Sequence, residues 1–115
     1  MISATTPAGL APSDIIALDA GAVRMIDQTR LPGETVTVTC ADWRDVVDAI
    51  RRLVVRGAPA IGIAGAMGVA IAAHNGPHDL DALQVEIAAA GASLRAARPT
   101  AVNLSWGVDR ALTRL

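Results

Sequence analysis

The pattern of apolar and polar positions divides the chain into an alternating first third and a helical remainder. The segments 15–21, 22–28 and 34–40 are typical of strands, and the turn signal "RLPGE" lies between the second and the third. In the third segment Val36 and Val38 share one face while the threonines share the other, as in a half-buried antiparallel strand. The pattern therefore predicts three strands.

After Cys40 the apolar residues recur at helical spacing. Asp42 is the predicted N-cap of a first helix, because its side chain can accept a hydrogen bond from a free amide of the first turn. The predicted buried face of this helix consists of Trp43, Val46, Val47, Ile50, Leu53 and Val54.

A second helix is predicted from Pro59 to about His74, in a stretch of small and apolar residues without Asp, Glu, Lys or Arg. A helix that is apolar all round is buried on all sides, so we expect this one to be central. Several glycines in one helix lower its stability. Their presence indicates close backbone packing, at Gly62, Gly65 and Gly68 together with Ala66.

Two more helices complete the pattern. Asp79 is the predicted cap of a third helix that runs to about Ala97 and buries Leu80, Leu83, Ile87 and Leu94. Pro99 is predicted to open a fourth, which reaches Leu115 still amphipathic and without a stop signal, as in a chain cut from something longer. The predicted fold class is α+β: a small three-stranded antiparallel sheet followed by a bundle of about four helices.

Length and composition favour one domain with a hydrophobic core, since the chain has 115 residues and is 52% hydrophobic. We expect residues 1–14 to be disordered or extended and residues 15–115 to form the domain. The uncharged run after Arg56 is shorter than the roughly 20 apolar residues of a membrane helix and is built largely from Gly and Ala. Because the N-terminus also lacks the pattern of a secretory signal, we expect a cytoplasmic protein without a membrane partner.

Charge and residue usage exclude several kinds of chemistry. A net charge of −1 without a basic stripe, and only two aromatic residues, argue against a nucleic-acid partner. Every basic residue is Arg, so Schiff-base chemistry is excluded within this chain. The lone Cys40 cannot form an internal disulfide and is interpreted as a small buried thiol. His74 and His78 lack a neighbouring carboxylate cluster and are interpreted as loop residues, so neither a metal site nor a cofactor is predicted.

The second and fourth helices are predicted to begin in the same unusual way. Each has proline at its first position, in "RGAP" and "RP", and neither has Ser, Thr, Asp or Asn at the N-cap. Arg56 and Arg98 lie within a residue or two of these starts. Free amides, the helix dipole and an arginine suit a phosphate, and Gly57 would let a ligand approach the backbone. The alternative is that water solvates both starts and both arginines lie on the surface.

Three stretches, "IDQTRLPGE", "DVVDAIRRLVVRGAPAIGIAGAMGVA" and "RPTAVNLSWGVDRAL", carry a family resemblance in their order and spacing. They resemble the N-terminal domain of methylthioribose-1-phosphate isomerase, a family related to ribose-1,5-bisphosphate isomerase and to regulatory subunits of eukaryotic initiation factor 2B. The resemblance extends from about Ile15 to Leu115. It implies an aldose–ketose isomerisation of a small sugar phosphate in methionine salvage, without a cofactor. Substrate contacts would come from Arg56, Gly57, Ala58 and Arg98.

The same resemblance places the catalytic cysteine and aspartate in a Rossmann-like domain that would follow Leu115. Cys40 does not match that cysteine, so we expect no catalytic residue in this chain and no activity from it alone. We expect a homodimer for the full-length protein. Met67 and Ser105 stand where this family often has aromatic residues. Two alternatives stay open: a non-catalytic regulatory or assembly module, and an isomerase acting on ribose 1,5-bisphosphate.

Overall fold

An antiparallel sheet precedes a helical bundle in the computed structural model, which describes residues 15–55 and 57–114. Within these residues the strands β1, β2 and β3 pair in that order and span Ile16–Asp19, Ala22–Ile26 and Thr37–Cys40. A short 3₁₀ helix, Gln28–Arg30, follows β2. The helices α1 to α4 span Trp43–Arg51, Ala58–Asn75, Leu80–Ala97 and Val102–Thr113. The predicted α+β class is confirmed, while residues 1–14 lie outside the described part of the chain.

The sheet presents one face to the helices. In the register of the strands Met25 of β2 lies between Ile16 of β1 and Val38 of β3, and Val23 lies opposite Cys40. Val23, Met25 and Cys40 are almost fully buried, whereas the threonines of β3 are exposed. The predicted alternation is therefore confirmed, although β3 begins three residues later than the pattern indicated.

Aspartates cap two of the four helices, as predicted. The Arg44 amide donates to Asp42 Oδ1 at 2.7 Å, at the start of α1. The Ala82 amide donates to Asp79 Oδ2 at 2.9 Å, at the start of α3. Each bond satisfies one of the amides that a first helical turn leaves without a partner.

The C-terminal end of α1 differs from the prediction. The helix stops at Arg51, and Leu53 adopts a left-handed conformation with φ 62°. The amides of Leu53 and Val54 turn back to the carbonyls of Ile50 and Ala49, at 3.3 and 3.0 Å, which is a Schellman closure. The placement of Leu53 on the buried face is wrong, since this reversal leaves it 37% exposed, whereas Val54 is buried beyond the helix end.

Helix α2 lies at the centre and contacts the other three helices and the strands β1 and β2. Ala64, Val69 and Ile71 are almost fully buried. The prediction of burial on all sides is wrong for one face, where Ile63 is 43% exposed. The sheet, α1 and α3 cover the other sides, and α4 leaves a groove along this face.

The glycines of α2 allow close helix packing, as predicted. A Cβ atom on Gly62 would lie 2.8 Å from the Asn103 carbonyl oxygen of α4, and one on Gly107 would overlap the Gly62 carbonyl. Real Cβ atoms do not approach backbone this closely, so the crossing of α2 and α4 requires glycine. Gly65 and Gly68 make similar approaches to side chains of the neighbouring helices.

The last residue of α2 fastens the helix to the sheet. Asn75 Nδ2 donates to the Gly21 carbonyl at 2.8 Å and to the Ala41 carbonyl at 3.1 Å. Ala20 and Gly21 form the two-residue turn between β1 and β2 and both have positive φ, as in a type I′ turn. One side chain therefore joins α2 to the β1–β2 hairpin and to the junction of β3 with α1.

Candidate functional site

The start of α2 has the backbone geometry of an open anion site. Gly57 is the N-cap, with φ 93° and ψ 134°, a conformation that residues with a Cβ rarely adopt. A Cβ placed there would meet nothing within 4 Å, so the backbone is approachable. Glycine has no side chain with which to cap the first-turn amides, and Ala58 and Pro59 follow as the first helical residues. The predicted absence of a side-chain cap is confirmed, whereas the helix begins one residue earlier than predicted and Pro59 is its second residue.

The start of α4 is also uncapped but lies further along the chain than predicted. Its N-cap is Ala101, which has no side-chain acceptor, and the helix begins at Val102. Pro99 instead lies in a turn that the Ala101 amide closes on the Arg98 carbonyl, at 2.9 Å. The prediction that Pro99 opens α4 is wrong, because its fixed φ equally suits the second position of a turn. Arg98 is the partly buried C-cap residue of α3, three residues before Ala101.

The two uncapped starts lie side by side. Gly62, in the second turn of α2, packs against the backbone of Asn103, the second residue of α4. A cavity of about 210 Å³ lies between Ile61, Ala101, Val102 and Asn103. Two helix N-termini, each with partial positive charge, thus meet at one end of the bundle. Partial positive charge of this kind favours anions over cations.

The arginines of the predicted site are described only in part. Arg98 lies on the segment that joins α3 to this end of the bundle. Arg56 lies outside the described residues, so the convergence of the two guanidinium groups stays a prediction. Gly57 and Ala58 lie at the start of α2 as the pattern indicated.

A groove between α2 and α4, which the sequence patterns did not indicate, extends from the same end. Its volume is about 660 Å³, and its wall runs from Pro59 on α2 to Arg114 beyond α4. Ile63 and Trp106 line it and are 43% and 62% exposed. The Arg110 guanidinium lies 5.3 Å from the centre of the Trp106 ring. The signal in the sequence was the exposed Trp106 on the outer face of α4, beside a stripe of buried residues.

The loop after β2 has its own hydrogen-bond network and is attached to the segment before Gly57. Asp27 Oδ1 accepts hydrogen bonds from the Thr29 hydroxyl at 2.5 Å and from the Thr29 amide at 2.9 Å. These bonds, led by the one from the hydroxyl, hold the pKa of Asp27 below its ordinary value. The Gln28 amide donates to the Val54 carbonyl at 2.7 Å, which attaches the loop to the segment before Gly57.

The remaining sequence candidates are structural. Cys40 is 1% exposed, and burial, with smaller effects from Asp45 and Asp48, raises the pKa of its thiol to about 11. It is a buried thiol, as interpreted, and stays protonated at neutral pH. His74 lies in the last turn of α2 and is exposed, so its interpretation as a loop residue is wrong; its Nδ1 lies 2.9 Å from Asn75 Oδ1. Across residues 15–55 and 57–114, no three metal-ligating side chains cluster.

A membrane span is likewise not found in the described part of the chain: none of its helices combines the length and apolar character that crossing a bilayer requires.

Comparison with known proteins identifies close relatives of the chain. The model of the Initiation factor 2 subunit family matches residues 54–115. A methylthioribose-1-phosphate isomerase from Desulforudis audaxviator is 46% identical over 94 residues, which cover 82% of this chain and 27% of that protein. One from Alkalilimnicola ehrlichii is 53% identical over 92 residues, covering 76% and 26%. The chain thus spans just over a quarter of the length of these curated relatives.

Two solved structures share the fold. The 5-methylthioribose 1-phosphate isomerase from Pyrococcus horikoshii has a TM-score of 0.81 at 30% identity, covering 91% of this chain and 32% of that one. Subunit delta of translation initiation factor eIF-2B from A. fulgidus has a TM-score of 0.81 at 42% identity, covering 87% of this chain and 29% of that one.

Proposed function

Because the chain belongs to the initiation factor 2 subunit family, we propose that it is the N-terminal, substrate-binding domain of an isomerase acting on 5-methylthioribose 1-phosphate. The observation that carries this proposal is its identity of 46 to 53% with methylthioribose-1-phosphate isomerases over more than three-quarters of its length. The product would be 5-methylthioribulose 1-phosphate, an intermediate of methionine salvage. We further propose that the full-length enzyme is a cytoplasmic homodimer that needs no cofactor.

The task of this domain is to bind and orient the sugar phosphate. The adjacent starts of α2 and α4 offer free amides and two helix dipoles to a phosphate group. Gly57 lets the ligand approach the backbone closely. Arg56 and Arg98 would each add a charge-assisted hydrogen-bonding fork.

Catalysis itself would need residues that this chain does not supply. The family resemblance assigns the cysteine and the aspartate to a second domain, and each such group accounts for about 10²-fold in rate or more. We therefore expect the 115-residue chain to bind the sugar phosphate weakly, in the millimolar range, and to have no turnover.

The test incubates the chain with 5-methylthioribose 1-phosphate and measures both binding and formation of the ketose. Arg98→Ala should weaken phosphate binding, while Arg24→Ala, which removes an exposed arginine paired with Asp19 on the sheet, should not. Both changes should alter the free energy of unfolding by no more than about 0.5 kcal/mol. Turnover at the rate of a complete isomerase would contradict the predicted inactivity, and equal binding by all three proteins would contradict the assigned site.

A second candidate function is that of a regulatory or assembly module. It is favoured by the similarity to the A. fulgidus subunit delta, at 42% identity and a TM-score of 0.81. Such a module would bind a protein partner whether or not a sugar phosphate is present. Absence of sugar-phosphate binding, together with stable association with another protein, would favour this function.

The group on the fifth carbon of the sugar is a separate question. A relative from Moorella thermoacetica, 48% identical over 91 residues, is named 5-deoxyribose 1-phosphate isomerase. Ribose 1,5-bisphosphate is the further alternative. Titrating the chain with the three sugar phosphates in parallel would rank them, and a preference for the bisphosphate would favour the related isomerase.

A further inference from the structure

Two adjacent polar residues, Asp27 and Gln28, are buried where β2 passes into the following loop. Only 6% of Asp27 and 7% of Gln28 is exposed. Burying a carboxylate costs free energy unless hydrogen bonds compensate, and Thr29 supplies two. The Asp27 amide also donates to the Val36 carbonyl at 2.8 Å, which closes the base of the loop. The carboxylate thus holds the 3₁₀ helix together from inside.

The surroundings of Asp27 favour its charged form. Its Oδ2 lies 4.0 Å from Arg30 Nε, and the guanidinium of Arg52, at the end of α1, also attracts it. Both arginines favour the ionised carboxylate, while its hydrogen bonds to Thr29 hold the 3₁₀ helix.

From the loop a short path leads to the candidate site. The Gln28 amide donates to the Val54 carbonyl, and Val54 and Val55 are 2% and 1% exposed. The Schellman closure fixes the conformation of Leu53, the residue before Val54. A single residue then separates Val55 from Gly57. The loop therefore fixes the chain as far as Val55, two residues before Gly57.

We propose that Asp27 is a positioning residue for the sugar-phosphate site. By capping the 3₁₀ helix it holds the Gln28 amide against the Val54 carbonyl, and that bond sets where the chain enters Gly57 and α2. The inference rests on the proposed function of the site. Asp27 touches no substrate; it increases the fraction of molecules in which the Gly57 backbone is arranged for binding.

The test compares Asp27→Ala with a matched control, Asp79→Ala. Both remove an aspartate cap, but Asp79 lies beyond the far end of α2, about 27 Å from Gly57 along the 18-residue helix. Affinity for 5-methylthioribose 1-phosphate and for inorganic phosphate is measured by NMR on the Gly57 amide, with the free energy of unfolding alongside. We expect Asp27→Ala to weaken binding about fivefold and Asp79→Ala by less than about twofold, at similar losses of stability.

Two further variants keep the test decisive. Asp27→Asn retains the acceptor oxygen and should bind within about twofold of the wild type. Thr29→Val removes only the hydroxyl bond and should weaken binding about two- to threefold even if Asp27→Ala fails to fold. The inference is overturned if Asp27→Ala, or Thr29→Val in its place, binds as tightly as Asp79→Ala.

Failure of the proposed function has a different signature. In that case the wild-type chain itself would bind neither probe. Hydrogen exchange of the Gln28 amide and the resonance of Gly57 then report positioning directly. Both should change in the Asp27 variant and not in the Asp79 variant, and unchanged signals would overturn the inference.

Discussion

Helices α2 and α3 are equal in length, at 18 residues, and both are rich in alanine, yet they occupy different positions in the fold. Both helices contact the three other helices, but only α2 also contacts two strands. Helix α3 packs on one side and leaves Leu80 and Val85 66% and 70% exposed, so the predicted burial of Leu80 is wrong. Their glycines differ accordingly. Gly62 of α2 approaches the backbone of α4, whereas Gly91 of α3 faces only the tip of a side chain.

This difference teaches that glycine content determines how closely another helix could pack against a helix. The position of the helix in the fold determines whether another backbone does pack that closely. A glycine that meets backbone cannot be replaced, because a helix axis must move to make room. A glycine that meets a flexible side chain can be replaced, since the side chain moves instead. The contrast between the two helices can be tested by substitution.

The largest effect is expected from Gly107→Ala, at the contact of α4 with α2. The added methyl group would overlap the Gly62 carbonyl, which belongs to a central helix and cannot rotate away. We expect a loss of more than about 3 kcal/mol in the free energy of unfolding, measured by urea denaturation, despite the gain in helix propensity. A loss below about 1 kcal/mol would show that α2 and α4 can separate at little cost.

Leu94→Ala should have the next largest effect. Leu94 is fully buried in α3 and its methyl groups lie against Gly68 of α2. Losing them should cost about 2 to 3 kcal/mol, because the buried methyl groups lose their transfer free energy and the neighbouring side chains fill the cavity only in part. Leu80→Ala is the control in the same helix and should change stability by less than about 0.5 kcal/mol. Equal effects of the two substitutions would contradict the assigned faces of α3.

Asp79→Ala tests the difference between the capped start of α3 and the uncapped start of α2. It should lower the free energy of unfolding by about 1 kcal/mol. The α3 start loses its side-chain cap in this variant and becomes similar to the uncapped start of α2. Asp79→Asn keeps an acceptor and should restore most of the stability. Thermal unfolding of the three proteins measures the difference, and a neutral Asp79→Ala would mean that water replaces the cap without cost.

The smallest effect is expected from Gly91→Ala. A Cβ atom there would lie 3.1 Å from Leu112 Cδ1, at the end of a partly buried side chain that can adjust. The gain in helix propensity is up to about 1 kcal/mol, so stability should stay unchanged or rise by about 0.5 kcal/mol. A loss as large as that of Gly107→Ala would remove the distinction between the two glycines.

Sequence reasoning succeeded where a residue acts within its own element. The caps at Asp42 and Asp79, the alternation of β3 and the uncapped Gly57 follow from local hydrogen bonding and periodicity. It failed at ends and outer faces. Leu53 falls at an apolar position of the helical pattern, but the chain reverses direction at this residue. Pro99 is as compatible with a turn as with a helix start.

For the candidate site, the sequence indicated the chain segments but not their surroundings. The Gln28–Val54 hydrogen bond and the groove at Trp106 both join residues distant in sequence, so no periodicity could indicate them. The sequence also could not indicate the exposed face of α2, because exposure depends on packing between elements distant in sequence. Whether an apolar stripe is covered depends on how many elements surround the helix, and this number is a property of the whole fold.

The hydrogen bonds of the Asn75 side chain affect which parts of the molecule unfold together. The side chain is bonded to both the β1–β2 turn and the β3–α1 junction, so the three-stranded sheet cannot separate from α2 without breaking both bonds, and the hairpin cannot separate without breaking the one to Gly21. A two-stranded hairpin on its own is marginally stable in water. The last turn of α2 and the hairpin should therefore exchange their amide hydrogens as one cooperative unit, with a shared opening free energy, while the helix starts at the other end open independently.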